Sequence, residues 1–431
     1  MRFCLPLILV ALAFTTALPA ENWPAFRGPT GDGVSEATNL PTRWSETENI
    51  RWKVAIHGKG WSSPVVWGDQ IWLTTADEVG VNKNAPVPRT GEAKGAVEKV
   101  TFYVVGIDRA TGKITSDIAL ATEKNPAFCH DFNSYATPTP VIEEGRVYAH
   151  FGSHGTWCLN TASGEVLWER SDLKCNHHRG PGSSPILHKN LLILIFDGYD
   201  VQYVTALDKV TGKTVWKKDR NIKYSSNDGD IKKAYATGRV MEIGGKSQLI
   251  CPSAECTIAY DPATGDELWR MTHGGMNGAA RPVGANGLLF LTSGHSKQLL
   301  AVKETLSGAV SKDVVVWRAD KGVPTRPSLI LHNDLLYMVS DEGIASCLDA
   351  QTGKVQWSER LNGGFSASPI LAGEHLYMPN QTGKTLVLKT GRVYEPVATN
   401  TLDAGCMASP AVAGDDLILR TKTHLYSIGA K

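Results

Sequence analysis

The residues best suited to chemistry are histidines, amides and acids gathered in three short stretches. They are His130, Asp131 and Asn133, then Asn176, His177, His178 and Arg179, then His273 and Asn277. Imidazoles beside carboxylates suit transition-metal ions, and a guanidinium among amides suits a carboxylate or phosphate. No close-spaced ligand pair of the His-Glu-x-x-His kind occurs, so these residues form a site only if separate loops bring them together. The competing reading is that they cap loop backbone and pack neighbouring elements.

Cysteine chemistry points to structure rather than catalysis. Of the eight cysteines, Cys4 lies in the leader described below, which leaves an odd number in an oxidising compartment and at least one thiol free or paired between chains. Cys129 and Cys175 fall in consecutive loops and are disulfide candidates. Cys251 and Cys256 flank Pro-Ser-Ala-Glu and are candidates for a bridge across a hairpin, which makes Cys406 the unpaired thiol. No Cys-x-x-Cys appears. Gly28 to Gly33 reads Gly-Pro-Thr-Gly-Asp-Gly, but it follows no strand, opens no helix and lacks the Walker lysine. No Gly-x-Ser-x-Gly elbow occurs. The acidic pairs Glu143-Glu144 and Asp415-Asp416 sit in hairpin turns, where solvation explains them.

Forty-four basic against 43 acidic residues leave no long-range field to collect nucleic acid. Residues 1–20 read as a signal peptide: Arg2, an apolar run from Leu5 to Phe14, then small residues up to Ala20. That run is about ten residues long, roughly half of what a membrane span needs, and no later segment is long enough either. The mature chain is expected to be exported, periplasmic or secreted, with no membrane span.

Internal repetition supplies the elements that position everything else. The template is a small residue with proline, two strands, a loop, a third strand ending near Asp, a Thr-Gly turn, and a fourth strand carrying Trp. Ser184-Pro185 leads to Ala206-Leu207-Asp208, Thr211-Gly212 and Trp216. Thr139-Pro140 leads to Cys158, Ser163-Gly164 and Trp168, and Arg326-Pro327 leads to Cys347, Thr352-Gly353 and Trp357. Ala259 to Trp269 is another copy, and Arg281-Pro282 leads to Ser307-Gly308 and a delayed Trp317. Copies starting at Ser63-Pro64 and Ser368-Pro369 lack the Trp. Ser409-Pro410 starts a copy that runs out after three strands, and residues 49–54, with Trp52, supply the missing fourth strand. The prediction is an all-β, eight-bladed β-propeller of four-stranded antiparallel blades, closed by the N-terminal strand, which leaves no open sheet edge at the ring's ends. The expected organisation is a signal peptide over 1–20, an N-terminal extension over 21–48 and the propeller over 49–431. The first blade is longer than the rest, and its excess, Asp77 to Val100, reads as a loop excursion.

Each part of the template has a physical task. The Gly after Thr takes the positive φ of a tight turn, and the Trp packs against the neighbouring blade. Cys158 and Cys347 occupy a repeat position that holds Ala206, Ala259, Ala301 or Gly106 elsewhere, so a small buried side chain is needed there. The topology also sorts the polar residues. The three stretches above, with His154, Asp197 and His295, fall on the rim opposite the Thr-Gly turns, whereas His188, His332 and His375 fall on the Thr-Gly side.

The template resembles the tryptophan-docking repeat of pyrroloquinoline-quinone (PQQ) type propellers, over residues from about 44 to 431. The opening Trp23-Pro24-Ala25-Phe26-Arg27-Gly28-Pro29 resembles the lead-in of secreted bacterial members and is expected to pack across the propeller. The resemblance implies one of two branches. Quinoprotein dehydrogenases hold PQQ and calcium on the axis, with a disulfide between adjacent cysteines over the quinone, an acidic base and Glu/Asn calcium ligands. Non-catalytic propellers include the propeller lipoprotein of the outer-membrane β-barrel assembly machinery. No two cysteines are adjacent here, and no Asp matches the catalytic base. The expectation is a non-catalytic, exported scaffold that binds a protein partner or small ligand through the His-rich rim, without a cofactor. The alternative is a PQQ- and calcium-dependent dehydrogenase that oxidises an alcohol or sugar.

Overall fold

The computed structural model describes residues 22–81, 97–310 and 312–430. The leader expected over 1–20 lies outside the described residues.

The strands form eight sheets, each built round a four-stranded antiparallel meander. Blade 1 spans residues 65–124, blade 2 141–170, blade 3 186–219 and blade 4 239–272. Blade 5 spans 283–319, blade 6 330–360 and blade 7 370–401. Blade 8 takes three strands from 411–428 and its outermost strand from Ile50–Ala55, which pairs antiparallel with His424–Ile428. The ring is therefore closed by the N-terminal strand. Middle strands of each blade are sandwiched between neighbouring sheets, so they read as unbroken apolar runs. Leu191–Asp197 is buried at every position. Outer strands face solvent on one side and alternate, as Thr214–Asp219 does.

The Thr-Gly-Trp signal is a blade-to-blade joint. Trp168 at the edge of blade 2 lies on Gly212 in the turn of blade 3, and its Nε1 donates to the Lys209 carbonyl at 3.0 Å. Trp52, Trp216 and Trp317 lie on Gly112, Gly265 and Gly353 in the same way. Within each blade the Trp faces the small repeat residue across the ladder: Cys158 opposite Trp168, Ala206 opposite Trp216, Cys347 opposite Trp357. Where blade 1 lacks Trp, Ile118 occupies the place against Gly164.

Two parts of the repeat differ from expectation. The strand of blade 6 begins at Ile330, so Ser328, not Arg326, holds the position of Ser184. The excess in blade 1 is partly strand, because Gln70–Val79 and Lys99–Asp108 pair along their full length; residues 82–96 lie outside the described residues. The inserted residues before Trp317 form an extra strand, Gly308–Val310, which runs parallel to the edge of blade 4 and covers it.

A belt of hydroxyls rings the channel and explains the small residue of the template. The backbone N–H of Ser63 donates to Thr139 Oγ1, that of Thr139 to Ser184 Oγ and that of Ser184 to Thr237 Oγ1, at 2.9–3.0 Å. After Arg281 the belt resumes through Ser328, Ser368 and Ser409 at 2.8–3.0 Å. At six of the eight joints a blade thus satisfies a buried donor of its predecessor.

The N-terminal segment crosses the propeller, as its lead-in suggested. Trp23 pairs with Val66 of blade 1, the Pro24 carbonyl accepts from Ile142 of blade 2, and Val34–Ser35 pairs parallel with blade 7. Between these anchors Arg27 is buried on the axis and donates to the carbonyls of Pro369 (3.0 Å), Leu329 (2.6 Å) and Asp32.

Candidate functional site

Above Phe26 of this segment opens a funnel of about 540 Å³ at the rim away from the Thr-Gly turns. That volume lies within the range of small-ligand sites. Its wall is made by loops between blades and by second-to-third-strand loops. Trp61 and Phe132 give the funnel an aromatic lip, and Asn133, Asn277, His130, His295, Arg179, Arg326, Lys297, Asp341 and Glu342 give it polarity.

The structure divides the residues expected on this rim. His130, Asn133, Arg179 and Asn277 line the funnel together with His295. Asn133 is fixed there, its amide donating to the carbonyls of Arg179 (2.9 Å) and Pro181 (3.0 Å). His130 Nδ1 accepts from the Phe132 N–H at 3.1 Å, which turns the loop. The remaining candidates point elsewhere. Asp131 and Asn176 are exposed outside the funnel, and His178 leans on Tyr199 with ring centres 5.1 Å apart. His177 is wedged between blades on Phe196, with Nε2 accepting from the Ser153 N–H at 2.9 Å. Burial, and then the neighbouring His154, push its pKa down to about 3. His273 bridges the Thr257 hydroxyl (2.9 Å) and the Gly274 carbonyl (2.7 Å). His154 pairs with Glu123 at 2.6 Å, and Asp197 with Arg220 at 2.6 Å in a fully buried ion pair. These five side chains serve packing and loop geometry. Among the described residues no group of three or more His, Cys, Asp or Glu side chains is placed to hold a metal ion.

Neither disulfide candidate forms; all seven described cysteines are free. Cys129 sits with the core between blades 1 and 2, its Sγ 3.9 Å from the Arg179 carbonyl. Cys175 faces the next inter-blade core, against Phe196 and 3.5 Å from the His177 ring. Cys251 stands opposite Ile258, so Cys256 is its diagonal neighbour. Diagonal pairs lie about 7–8 Å apart, which is too far to bridge. Cys406, expected as the unpaired thiol, is one buried thiol among several.

The charges of the funnel are mostly paired. Arg326 holds Asp341 at 2.5 Å and stacks over the Phe132 ring at 4.2 Å. Lys297 holds Glu342 at 2.5 Å. Among the described residues Arg179 has only Asp230, 4.0 Å away, and Lys233 also binds that carboxylate. Asn277 and Lys297 both adopt left-handed backbone, with φ of 56° and 51°. Asn tolerates this region and Lys does so rarely, a strain that often marks a functional loop. Trp61, Phe132 and Lys297 carry no motif that singles them out, because their roles come from side-chain direction in irregular loops.

This donor set does not suit the calcium ion that accompanies PQQ. Calcium takes six to eight oxygen ligands, yet among the described residues the two lining carboxylates are tied to cations and stand on one loop. No cysteine pair is adjacent, and Phe26 of the N-terminal segment takes a place in the funnel lining.

Comparison with known proteins gives the same two branches. A PQQ-repeat family model described as "Outer membrane protein assembly factor BamB" matches residues 90–218 and 302–428, more than half of the chain. Among curated proteins, BamB of Legionella pneumophila is 23% identical over 246 residues, 57% of this chain and 50% of that protein. A quinoprotein ethanol dehydrogenase of Pseudomonas aeruginosa is 27% identical over 195 residues, 43% of this chain and 27% of that protein. The chain thus spans half or less of the length of these relatives. Among solved structures, BamB of Moraxella catarrhalis superposes with a TM-score of 0.57 at 12% identity, covering 88% of this chain and 99% of that one. Quinohemoprotein alcohol dehydrogenase of Comamonas testosteroni gives 0.62 at 11% identity, covering 97% and 82%. These superpositions speak for the fold. The family match extends over more than half of the chain and makes it a member of the PQQ-repeat β-propeller family.

Proposed function

We propose that this chain is an exported, non-catalytic propeller that binds a protein partner or small ligand through the funnel on its loop rim. The observation that carries this reading is the state of the funnel's acids: Asp341 and Glu342 are each spent on a cation of the wall. A general base needs a carboxylate free to take a proton, and a calcium site needs several converging oxygens. The BamB relative supports a protein partner and a place in the periplasm or at the outer membrane. Residues 1–20 support export. Among the described residues no helix is long and apolar enough to cross a membrane.

The second reading, a PQQ- and calcium-dependent dehydrogenase, has the ethanol dehydrogenase relative in its favour. Calorimetric titration of the mature protein with PQQ, with and without calcium, followed by a dye-linked oxidation assay on ethanol and glucose, separates the two. The scaffold reading expects no calcium-dependent binding at tens of micromolar and no turnover. Calcium-dependent binding with turnover would overturn it.

A further inference from the structure

Among the described residues the lining of the funnel is short of negative charge: its fixed charges are the cations Arg179, Lys297 and Arg326 and the carboxylates Asp341 and Glu342, one cation in excess. Ion pairing assigns that excess: Lys297 and Arg326 each hold a carboxylate at 2.5 Å, and Arg179 does not. The side chain of Arg179 is about three-quarters covered, with Asp230 no nearer than 4.0 Å. Asp230 is shared with the buried ammonium of Lys233, on which Asp228 also acts, so its contact with Arg179 is the longer one. A planar, partly desolvated guanidinium facing a cavity is suited to a bidentate carboxylate.

His295 stands on the same wall, joined to it by Asn277, whose amide lies 3.5 Å from His295 Nδ1. Burial disfavours its protonated form first; Arg179, Lys233 and Arg326 repel it, and Asp341 attracts it. Burial and the three cations hold its pKa below the ordinary histidine value. Lys297 and Glu342 also line this side and cancel one another. An anion here would reverse the balance. Phe26, Trp61 and Phe132 supply the apolar part of the same cavity.

We propose that the funnel is a carboxylate site in which Arg179 and His295 bind an acid whose neighbouring apolar group lies on Phe26, Trp61 and Phe132. This rests on the reading of the chain as a binding scaffold and names what it binds. The carboxylate belongs either to an acidic side chain of a protein partner or to a free aromatic or aliphatic acid. Both sources offer the same chemistry.

Phenylacetate stands for the free acid, and an acetylated, amidated Phe-Glu dipeptide stands for the side chain. Phenylacetamide and the Phe-Gln dipeptide are their uncharged partners. Each is titrated into the mature protein while the His295 ring resonance is followed by NMR against pH. At least one acid is expected to raise the His295 pKa, because proton and anion binding are linked, while neither amide does so. Arg179→Gln should weaken the binding acid at least tenfold at unchanged melting temperature, because the loop is held by the backbone carbonyl of Arg179 and not by its guanidinium. The acid that binds identifies the source. The proposal is overturned if neither acid moves the resonance, if the amides act equally, or if Arg179→Gln binds as the parent does. Failure here without PQQ-dependent turnover leaves the scaffold reading intact. Turnover with calcium would overturn that reading whatever phenylacetate does.

Discussion

Trp168 of blade 2 lies so close over Gly212 of blade 3 that a Cβ there would stand 2.7 Å from Cδ2 of the indole. The glycine is needed twice, once for its φ of 70° and once for the space. The indole N–H then reaches the Lys209 carbonyl, so one side chain buries a large ring and satisfies a polar group at the same joint. Repeated round the ring, this contact sets the spacing of the blades, and the spacing sets the width of the funnel.

Gly145 offers a control for Gly212. It has a φ of 74° and nothing within 4 Å of an added Cβ. Gly145→Ala is expected to cost only the left-handed backbone term, about 1–2 kcal/mol. Gly212→Ala adds overpacking against Trp168 and should cost about 2–4 kcal/mol in all. Urea unfolding midpoints of the two variants check this. Equal costs would mean that the indole moves aside freely.

The joint and the blade count were legible because the Thr-Gly turn and the Trp carry a distinct signature that recurs at a fixed period, even though each Trp meets the turn of the next blade. The rim was also legible for His130, Asn133, Arg179 and Asn277, since topology alone assigns a loop to a rim. Side-chain direction within a loop was not. His177 and Arg179 are two residues apart, yet one is wedged against Phe196 and the other faces the funnel. The hydroxyl belt was visible only as a preference for small residues, because its partners lie some 40 to 76 positions away. Arg326-Pro327 imitated the repeat two residues early, and the belt shows Ser328 to be the true counterpart.

Arg27 ties the N-terminal segment to the carbonyls of blades 6 and 7 on the axis. Arg27→Ala would strand buried acceptors, each worth about 1–3 kcal/mol when unpaired. The expected loss is on the order of 3 kcal/mol or more, together with faster proteolysis of residues 22–35. Arg27→Lys should recover only part of this, because an ammonium cannot reproduce the guanidinium fork. A variant as stable and as resistant to protease as the parent would show that the segment is merely laid over the channel.

His150 and His177 predict the acid limb of stability. Burial pushes both pKa values down to about 3, while in the unfolded chain each titrates near its ordinary value of about 6.5. The unfolded state therefore takes up protons first as pH falls. Their contribution is complete above about pH 6.5 and is lost progressively from there towards pH 3. His177→Gln keeps an acceptor for the Ser153 N–H and removes one titration. Its melting temperature should fall less steeply between pH 6.5 and pH 4 than that of the parent. Parallel curves would refute the assignment.

His57 carries the opposite sign, and it does so at the seam where the ring closes. It follows the closing strand Ile50–Ala55 and holds two carboxylates of blade 1, Asp77 at 2.8 Å through Nδ1 and Asp117 at 3.1 Å through Nε2. Tyr103 meets the imidazole edge-on, with ring centres 4.7 Å apart. Only the imidazolium can donate to both acids at once; a neutral ring leaves one carboxylate without its partner. Partial burial opposes the charge, but hydrogen bonds to Asp77 and Asp117 outweigh it and the pKa is raised. A raised folded pKa gives stability that is fully present below the unfolded value of about 6.5 and is lost as pH rises through the folded value. His57→Gln should therefore melt below the parent at pH 5.5, and the gap should close by about pH 9. The side chains are about one-third exposed, so salt should shrink the gap. Differential scanning fluorimetry across that range, at low and high salt, measures it. A gap constant with pH would mean that His57 acts by packing on Tyr103, and that the seam is held by the strand ladder alone.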